Sequence, residues 1–429
     1  MDTRQESLGH TLPRRRRVAV AYLGAYGLSS LGNSIITIAL PILALQRLGS
    51  PTLAGLVAIS AGAGSLLGGI FIGPIVDRIN RRTCAIVSDS ISALAVVALP
   101  VVDTVWGLNF EWLLILASLG AIGDIPGLTA REALLPAIIT ATSTPAHTMT
   151  GVREGVSATA MLIGPASAGL MLSTLSSSTL LYITSATSLA AIIVTTLIPH
   201  QLGSVQLPIE SANRSQWRHI HLGWKAIVQD PFLLTLTLIT TTIMMVISAL
   251  QALILPVHFS ATGREEVTGF VLAAFALGAL VGGTAYALAG HFGRREWWMR
   301  TGLVLSAIAI AVIGILPPTV MLFSAATVLG IATGSLSGLV GVLMIERVPG
   351  QMRGRVFAAQ NALQAIAPPF GIAAAILLIA VNNINHAGLA ITGIWVVTVF
   401  FALFSPSLKT LKTTATESII DPTKRADSL

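Results

Sequence analysis

Apolar residues run along this chain in long, nearly unbroken stretches, not in the alternation of a strand or the one-sided stripe of a surface helix. The stretches cover 18–45, 53–76, 83–102, 111–138, 148–173, 179–199, 230–258, 267–289, 299–317, 319–346, 355–380 and 387–405. Most are near the ~20 residues with which a helix crosses the hydrocarbon of a bilayer. In lipid each backbone N–H and C=O must find a partner inside the protein, which leaves helices or closed barrels; runs this long and continuous exclude a barrel. The pattern therefore predicts twelve transmembrane helices.

The breaks between runs carry turn or charge chemistry: Gly49-Ser50-Pro51, Arg78 to Arg82, Ser176-Ser177-Ser178, Gly263 to Glu266, Arg294-Arg295, Pro317-Pro318 and Asn382-Asn383. The first run follows Arg14-Arg15-Arg16-Arg17 as a signal peptide would. It is too long for a secretory apolar core, lacks a small-residue cleavage site and precedes many further spans, so it reads as an uncleaved first helix. The long polar interval from His200 to Asp230 reads as a linker, with Trp217 and Trp224 on the membrane surface. The resulting organisation is an N-terminal tail at 1–17, a six-helix bundle at 18–199, a linker at 200–229, a second six-helix bundle at 230–405 and a C-terminal tail at 406–429.

Composition strengthens this picture: 54% of residues are hydrophobic, 10% are charged and the mean hydropathy is +0.82. A soluble fold could not bury so much apolar surface. The single Cys84 excludes a disulfide framework and thiolate zinc sites, and His258 and His291, near span ends on opposite sides, make no metal site. The net charge of +7 falls mostly in loops and tails, where membrane topology accounts for it without nucleic acid. With a cytoplasmic N-terminus, Arg4, Arg14 to Arg17, Arg78, Arg81, Arg82, Arg214, Arg218, Lys225, Arg294, Arg295, Arg300, Arg347, Arg353, Arg355 and the basic residues of the C-terminal tail fall inside, and only Arg47 and Arg264 outside. That asymmetry predicts both termini in the cytoplasm and an even number of spans.

The two halves echo each other. Gly69, Gly73 and Arg81-Arg82 after the second span recur as Gly282 and Arg294-Arg295 after the eighth, and Glu132 to Pro136 is echoed by Glu346 to Pro349. Parallel repeats of six spans are one way secondary transporters build a central cavity. The sequence Gly73-x-x-x-Asp77-Arg78-x-x-Arg81-Arg82 resembles the loop signature of the major facilitator superfamily. Glycines allow close helix approach, Asp77 can cap a helix N-terminus, and the arginines can meet carboxylates at the cytoplasmic ends of adjacent helices. Asp77, Arg78, Arg81 and Arg82, with Arg131, Glu346 and Arg347, are therefore the expected cytoplasmic gate.

More of the chain is similar to the drug-efflux branch of that superfamily that includes macrolide exporters. The likeness lies in Gly32-Asn33 with Ala39-Leu40-Pro41, Arg131-Glu132-Ala-Leu-Leu-Pro136, Gly164-Pro165-x-x-Ala168-Gly169, and Glu346-Arg347-Val-Pro349 through Gly354-Arg355-Val-Phe357. The resemblance implies an all-α, twelve-helix fold in two pseudo-symmetric bundles and proton-driven export of drug-like molecules. It also implies a kink motif at Gly164, Pro165 and Gly169 that limits leak. Two departures stand out: Ala168 replaces a favoured glycine, and Asn33 stands where related exporters often carry an acid.

Depth decides which acids are candidates for proton coupling, since a charge near the bilayer centre is costly and usually functional. Asp124 is roughly 20 Å from either end of the fourth span at ~1.5 Å per residue. Asp89, Glu132 and Glu154 lie roughly 10 Å from a cytoplasmic end by the same rise, where ion pairs with Arg131 and Arg153 are the expected use. Asp124 and Arg131, seven apart on one face, leave an internal pair as the competing reading for Asp124. Asn33, Thr37, Thr241, Met245, Gln251 and Ser335 are candidate cavity residues, set among apolar neighbours that suit a hydrophobic or amphipathic molecule. For any one hydroxyl, bonding back to its own helix is the stronger competing reading. No Walker loop, metalloprotease motif or nucleophile elbow points to an enzyme. The expectation is a monomeric transporter of a small molecule in a bilayer, without a cofactor and driven by the proton gradient. Export of a lipid or siderophore-like molecule, and a non-transporting sensor or scaffold, are the alternatives.

Overall fold

A computed structural model describes residues 3–69, 79–204, 216–290, 295–381 and 384–405. Among them are thirteen helices: α1 Thr3–Leu48, α2 Pro51–Leu67, α3 Arg81–Val105, α4 Phe110–Thr142, α5 Ala146–Thr174, α6 Ser177–Thr196, α7 Gln216–Gln229, α8 Pro231–Ala261, α9 Glu266–Ala289, α10 Arg295–Gly314, α11 Thr319–Arg347, α12 Gly350–Val381 and α13 Ile384–Phe404. All but α7 are apolar, and eleven of those twelve are long enough to cross a membrane within the described residues; α2 is the shorter one. The protein is an all-α, multi-pass membrane protein of twelve spans.

The helices begin where side chains can satisfy their free N–H groups. Ser50 accepts from Leu53 N with Pro51 in the first turn, Asn80 from Arg82 N and Thr83 N, Asn109 from Trp112 N, Ser176 from Thr179 N and Asp230 from Phe232 N. Gly49 and Gly263 turn the chain at positive φ, 62° and 63°, where a side chain would be strained. Several boundaries differ from the hydropathy pattern, two of them with a plain cause. The first helix reaches back to Thr3, because the Glu and Arg residues preceding the span favour helix, and the ninth span stops at Gly314, ahead of the paired prolines. Within the linker, Gln216–Gln229 is helical; it packs on α12 with Gly223 against the backbone of Arg355.

Two compact units form: Met1–Ala212 with Leu255–Ala273, and Asn213–Ile254 with Ala274–Leu429. Leu255, where α8 passes from one unit to the other, directly follows a π-helical stretch at Leu250–Ile254. Such an irregular turn interrupts the regular hydrogen-bond ladder of the helix.

In the first unit α3 packs on α4 and α6, α2 on α4, and α1 on α5 and α6. In the second, α10 packs on α11 and α13, and α12 on α7, α8 and α13. Glycines set the closest contacts in both. Gly64 and Gly68 of α2 lie against the backbone of Ser118 and Ile122 in α4; Gly278 and Gly282 of α9 lie against Thr327 and Ile331 in α11. The contact repeat is thus Gly64/Gly68 with Gly278/Gly282, one residue out of step with the Gly69-to-Gly282 match in the sequence. Within lipid the apolar effect does not favour helix on helix, so close backbone approach supplies dispersion contact in its place. Gly282→Val should therefore lower stability by about 1–3 kcal/mol through overpacking, read as a fall in the thermal midpoint of detergent-purified protein. Gly341→Ala, where an added methyl meets nothing within 4 Å, should leave the midpoint unchanged.

Candidate functional site

The buried ionisable groups of the first unit converge between α3 and α4. Asp89 and Arg131 are 5% and 4% exposed and form an ion pair, Nη2 of Arg131 donating to Oδ2. Ser29 Oγ of α1 donates to the other carboxylate oxygen at 3.1 Å, and Tyr22 OH of α1 donates to the carbonyl of Arg131 at 3.1 Å. Nε of Arg131 is buried without a hydrogen-bond partner among the described residues. One turn along α3 from Asp89, Ser92 Oγ lies 2.7 Å from Oδ1 of Asp124 on α4. Asp124 is half-buried, and the guanidinium of Arg131 meets Asp89 in its place.

Glycines make this approach possible. A methyl at Gly123 would stand 2.8 Å from Ser92 Oγ, and one at Gly127 would stand 2.9 Å from Cβ of Ser88 and 3.4 Å from Nη1 of Arg131. The small faces of Gly123, Gly127, Ser88 and Ser92 therefore leave the space that the carboxylates and guanidinium occupy.

Arg131 was expected at the gate beside Glu132; it points inward, because consecutive helical residues face about 100° apart. Glu132 and Glu154 lie on the more exposed side, both paired with Arg153, which donates to Glu132 at 3.1 Å and lies 5.6 Å from the ring of Tyr26.

Gly73, Asp77 and Arg78 lie outside the described residues. Among the described residues Arg81 and Arg82 meet backbone carbonyls, not carboxylates: Arg81 donates to Ala133 O at 2.8 Å, and Arg82 to Thr195 O and Thr196 O at 3.3 and 2.8 Å. The last-turn carbonyls of α6 lack helical partners and are ready acceptors. The counterpart Arg295 in the second unit does meet a carboxylate, holding Glu346 with both terminal nitrogens. Arg347 donates to Asp230 at 2.8 Å and lies 5.8 Å from the Phe232 ring. Burial opposes ionisation of Asp230 most strongly, but the hydrogen bond from Arg347 and the backbone N–H groups of Phe232 and Leu233 outweigh it, so the carboxyl sits below its ordinary range.

The candidate cavity residues are divided between the two units. Thr37 is exposed and bonds to Asn33 O on its own helix. Ser335 is buried, its hydroxyl placed for Gly282 O at 3.0 Å and Ile331 O at 2.9 Å, so it belongs to the α9–α11 contact. Thr241 has a buried hydroxyl without a partner among the described residues, beside Thr240, which receives a bond from Gln360 at 3.3 Å. The backbone of Met245 faces Gly371, and Gln251 sits in the π turn of α8. Of the kink motif, Gly164 faces Ser34, Pro165 is carried inside an otherwise continuous α5, and Gly169 faces Gly269. Ser29, Ser92, Tyr22 and Gly127 were not singled out in the sequence; their signal was small and polar residues at the depth of a buried acid.

A family model described as Major Facilitator Superfamily matches residues 22–283. The chain is 28% identical over 384 residues to the multidrug efflux pump Tap of Mycolicibacterium fortuitum, covering 89% of this chain and 93% of that protein. It is 22% identical over 373 residues to macrolide efflux protein A of Streptococcus pyogenes, covering 83% and 88%. Among solved structures, a mutant of the nucleoside transporter NupG superposes with a TM-score of 0.73 at 14% identity, covering 91% of this chain and 100% of that one. A bacterial homolog of the human lysosomal transporter Spinster, inward-facing and unoccupied, gives 0.70 at 15% identity, covering 94% and 98%.

The Asp230–Arg347 pair yields a pH-dependent expectation. Since the folded carboxyl is held below its unfolded value of about 3.9, its contribution is present at neutral pH and disappears as pH falls through the lowered value. A double-mutant cycle of Asp230→Ala and Arg347→Ala should give a coupling of about 0.2–1 kcal/mol at pH 7, as for other partly exposed pairs, and one that shrinks on acidification. Thermal melts across that pH range test it.

Proposed function

The chain belongs to the major facilitator superfamily, and on that premise we propose that it exports hydrophobic or amphipathic, drug-like molecules across the cytoplasmic membrane in exchange for protons. The observation that carries the coupling is Asp124. It stands in the interior of a membrane-spanning helix, with the Ser92 hydroxyl as its hydrogen-bond partner and Arg131 turned to Asp89. An acid so placed is stable when neutral, and it serves as a carrier if alternating access exposes it first to one side and then to the other.

Export of drugs is supported by similarity over nearly the whole chain to pumps named for multidrug and macrolide efflux. The lysine and arginine bias supports cytoplasmic termini. On this reading the protein is a transporter and not an enzyme, works as a monomer and needs no cofactor beyond the proton gradient. The gate is served by Arg295 with Glu346 and Arg347 with Asp230.

The test is flux of lipophilic cations and macrolides in proteoliposomes under an imposed pH gradient, with Asp124→Asn beside wild type. Wild type should move at least one of these compounds against its gradient, and Asp124→Asn should lose gradient-driven movement by tenfold or more. Undiminished coupled flux in Asp124→Asn would remove Asp124 from the coupling step. A wild type that moves none of the panel would point to lipid or siderophore-like cargo.

A further inference from the structure

Counting charges around Asp124 gives a result that no single residue shows. Between α3 and α4 lie two carboxylates, Asp89 and Asp124, and one guanidinium, Arg131. With both acids ionised the group carries one net negative charge inside the bilayer, an expensive state; with one proton bound it is neutral. We propose that Asp89, Arg131 and Asp124 form one shared proton site, in which Arg131 pairs with whichever carboxylate is ionised and the other carboxylate holds the proton. This rests on the reading of the chain as a proton-coupled exporter and adds to it a second acceptor and a positioning residue.

The geometry supports an exchange between two arrangements. In the one observed, Arg131 holds Asp89, and Asp124 is held by Ser92 Oγ at 2.7 Å. Asp124 precedes Arg131 by two helical turns, and a long helical side chain leans toward the N-terminus of its own helix, which is the direction of Asp124. Gly127 lies between them on that face, and its lack of a side chain keeps the path beside Nη1 open. Nε of Arg131 is buried without a hydrogen-bond partner among the described residues, which hold this guanidinium by less than a full set of acceptors. A proton arriving on Asp89 neutralises it and frees the guanidinium to pair with Asp124, whose own proton then leaves to water. One proton enters and one departs, so the site is neutral before and after the exchange.

Among the described residues no further charged group pairs with these three. From α1 come hydroxyls, Ser29, Tyr22 and, on the side of Arg153, Tyr26, and α2 has no titratable side chain between Pro51 and Leu67. From α6 comes Tyr182, which is exposed. Cys84 lies further along α3, and Arg153 is paired with Glu132 and Glu154.

The test counts protons taken up by purified protein in detergent without substrate, by acid titration with a pH indicator and by the protonated-carboxyl infrared band. It does not depend on transport. The shared site predicts one such proton in wild type and none in either Asp124→Asn or Asp89→Asn, because each variant leaves one carboxylate for one guanidinium. Arg131→Gln should raise the count to two. An Asp89→Asn protein that still takes up its proton on Asp124 would overturn the shared site and leave Asp124 as a lone carrier. If Asp89→Asn does not yield folded protein, Arg131→Gln decides, since a count of one there also overturns the proposal. Should wild type show no gradient-driven flux yet count protons as predicted, the efflux reading fails while the shared site stands.

Discussion

The cost of an unpaired charge in hydrocarbon is the constraint around which the first unit is organised. Asp89 and Arg131 are each almost fully buried, and removing one partner of such a pair typically costs about 3–5 kcal/mol because the other charge is left uncompensated. The pair therefore fixes α3 and α4 in register, and Ser29 of α1 completes the acceptor set of the carboxylate. Tyr22 adds a tie from α1 to the backbone of α4 at Arg131 itself. Three helices are thus oriented by one ionic contact and its hydroxyl ligands. Asp124 is placed within reach of the same contact because α3 and α4 approach through Ser88, Ser92, Gly123 and Gly127.

Close packing of small residues does in both units what the hydrophobic effect does in water-soluble cores. Gly64 and Gly68 against α4, and Gly278 and Gly282 against α11, bring backbones together where a methyl group would collide with carbonyl oxygens. In the second unit the approach is reciprocal, with Gly330 and Gly334 of α11 facing the backbone of α9. Several buried side chains bind neighbouring helices. Ser335 is placed for Gly282 O, Thr392 for Ile310 O, and the fully buried Trp395 donates to Ser306.

How much of this could be read from the chain follows from what each kind of signal encodes. Apolar runs and the polar breaks between them specify spans, because the bilayer demands helices of that length, and Ser50, Asn109 and Ser176 mark helix starts by their capping chemistry. Direction around a helix is harder. Arg131 was assigned to the gate with the loop arginines, whereas its facing, with Gly127 leaving room beside it, makes it the internal partner of Asp89. Arg81 and Arg82 were matched to carboxylates because carboxylates are visible in a sequence; the carbonyls of Ala133, Thr195 and Thr196 that they meet are common to every residue. Ser335 looked like a cavity hydroxyl for a similar reason, since nothing in its own neighbourhood names Gly282 O as an acceptor.

The two units differ in where they keep charge, and this bears on how a proton could drive the cycle. In the second unit the ion pairs Arg295–Glu346 and Arg347–Asp230 sit at helix ends, and the buried polar residues further in are neutral ones such as Ser306, Gln360 and Thr392. Interior charge is concentrated between α3 and α4 of the first. A unit whose interior is neutral can be rewetted or sealed with little electrostatic cost, so its conformation need not respond to protonation. One with a buried ionic cluster cannot, because the field at each member depends on the protonation of the others. On the proposed coupling, sensitivity to the proton gradient originates inside a single unit, in contacts between two adjacent helices, and α1 is the element that touches them. That helix touches the cluster through Ser29 and Tyr22, and it also packs against α5, α6 and the segment Leu255–Ala261 at the end of α8. In the proposed site, a change in which carboxylate holds the guanidinium alters the acceptor available to Ser29, and so acts first on α1, which also packs on α2, α4, α5 and α6.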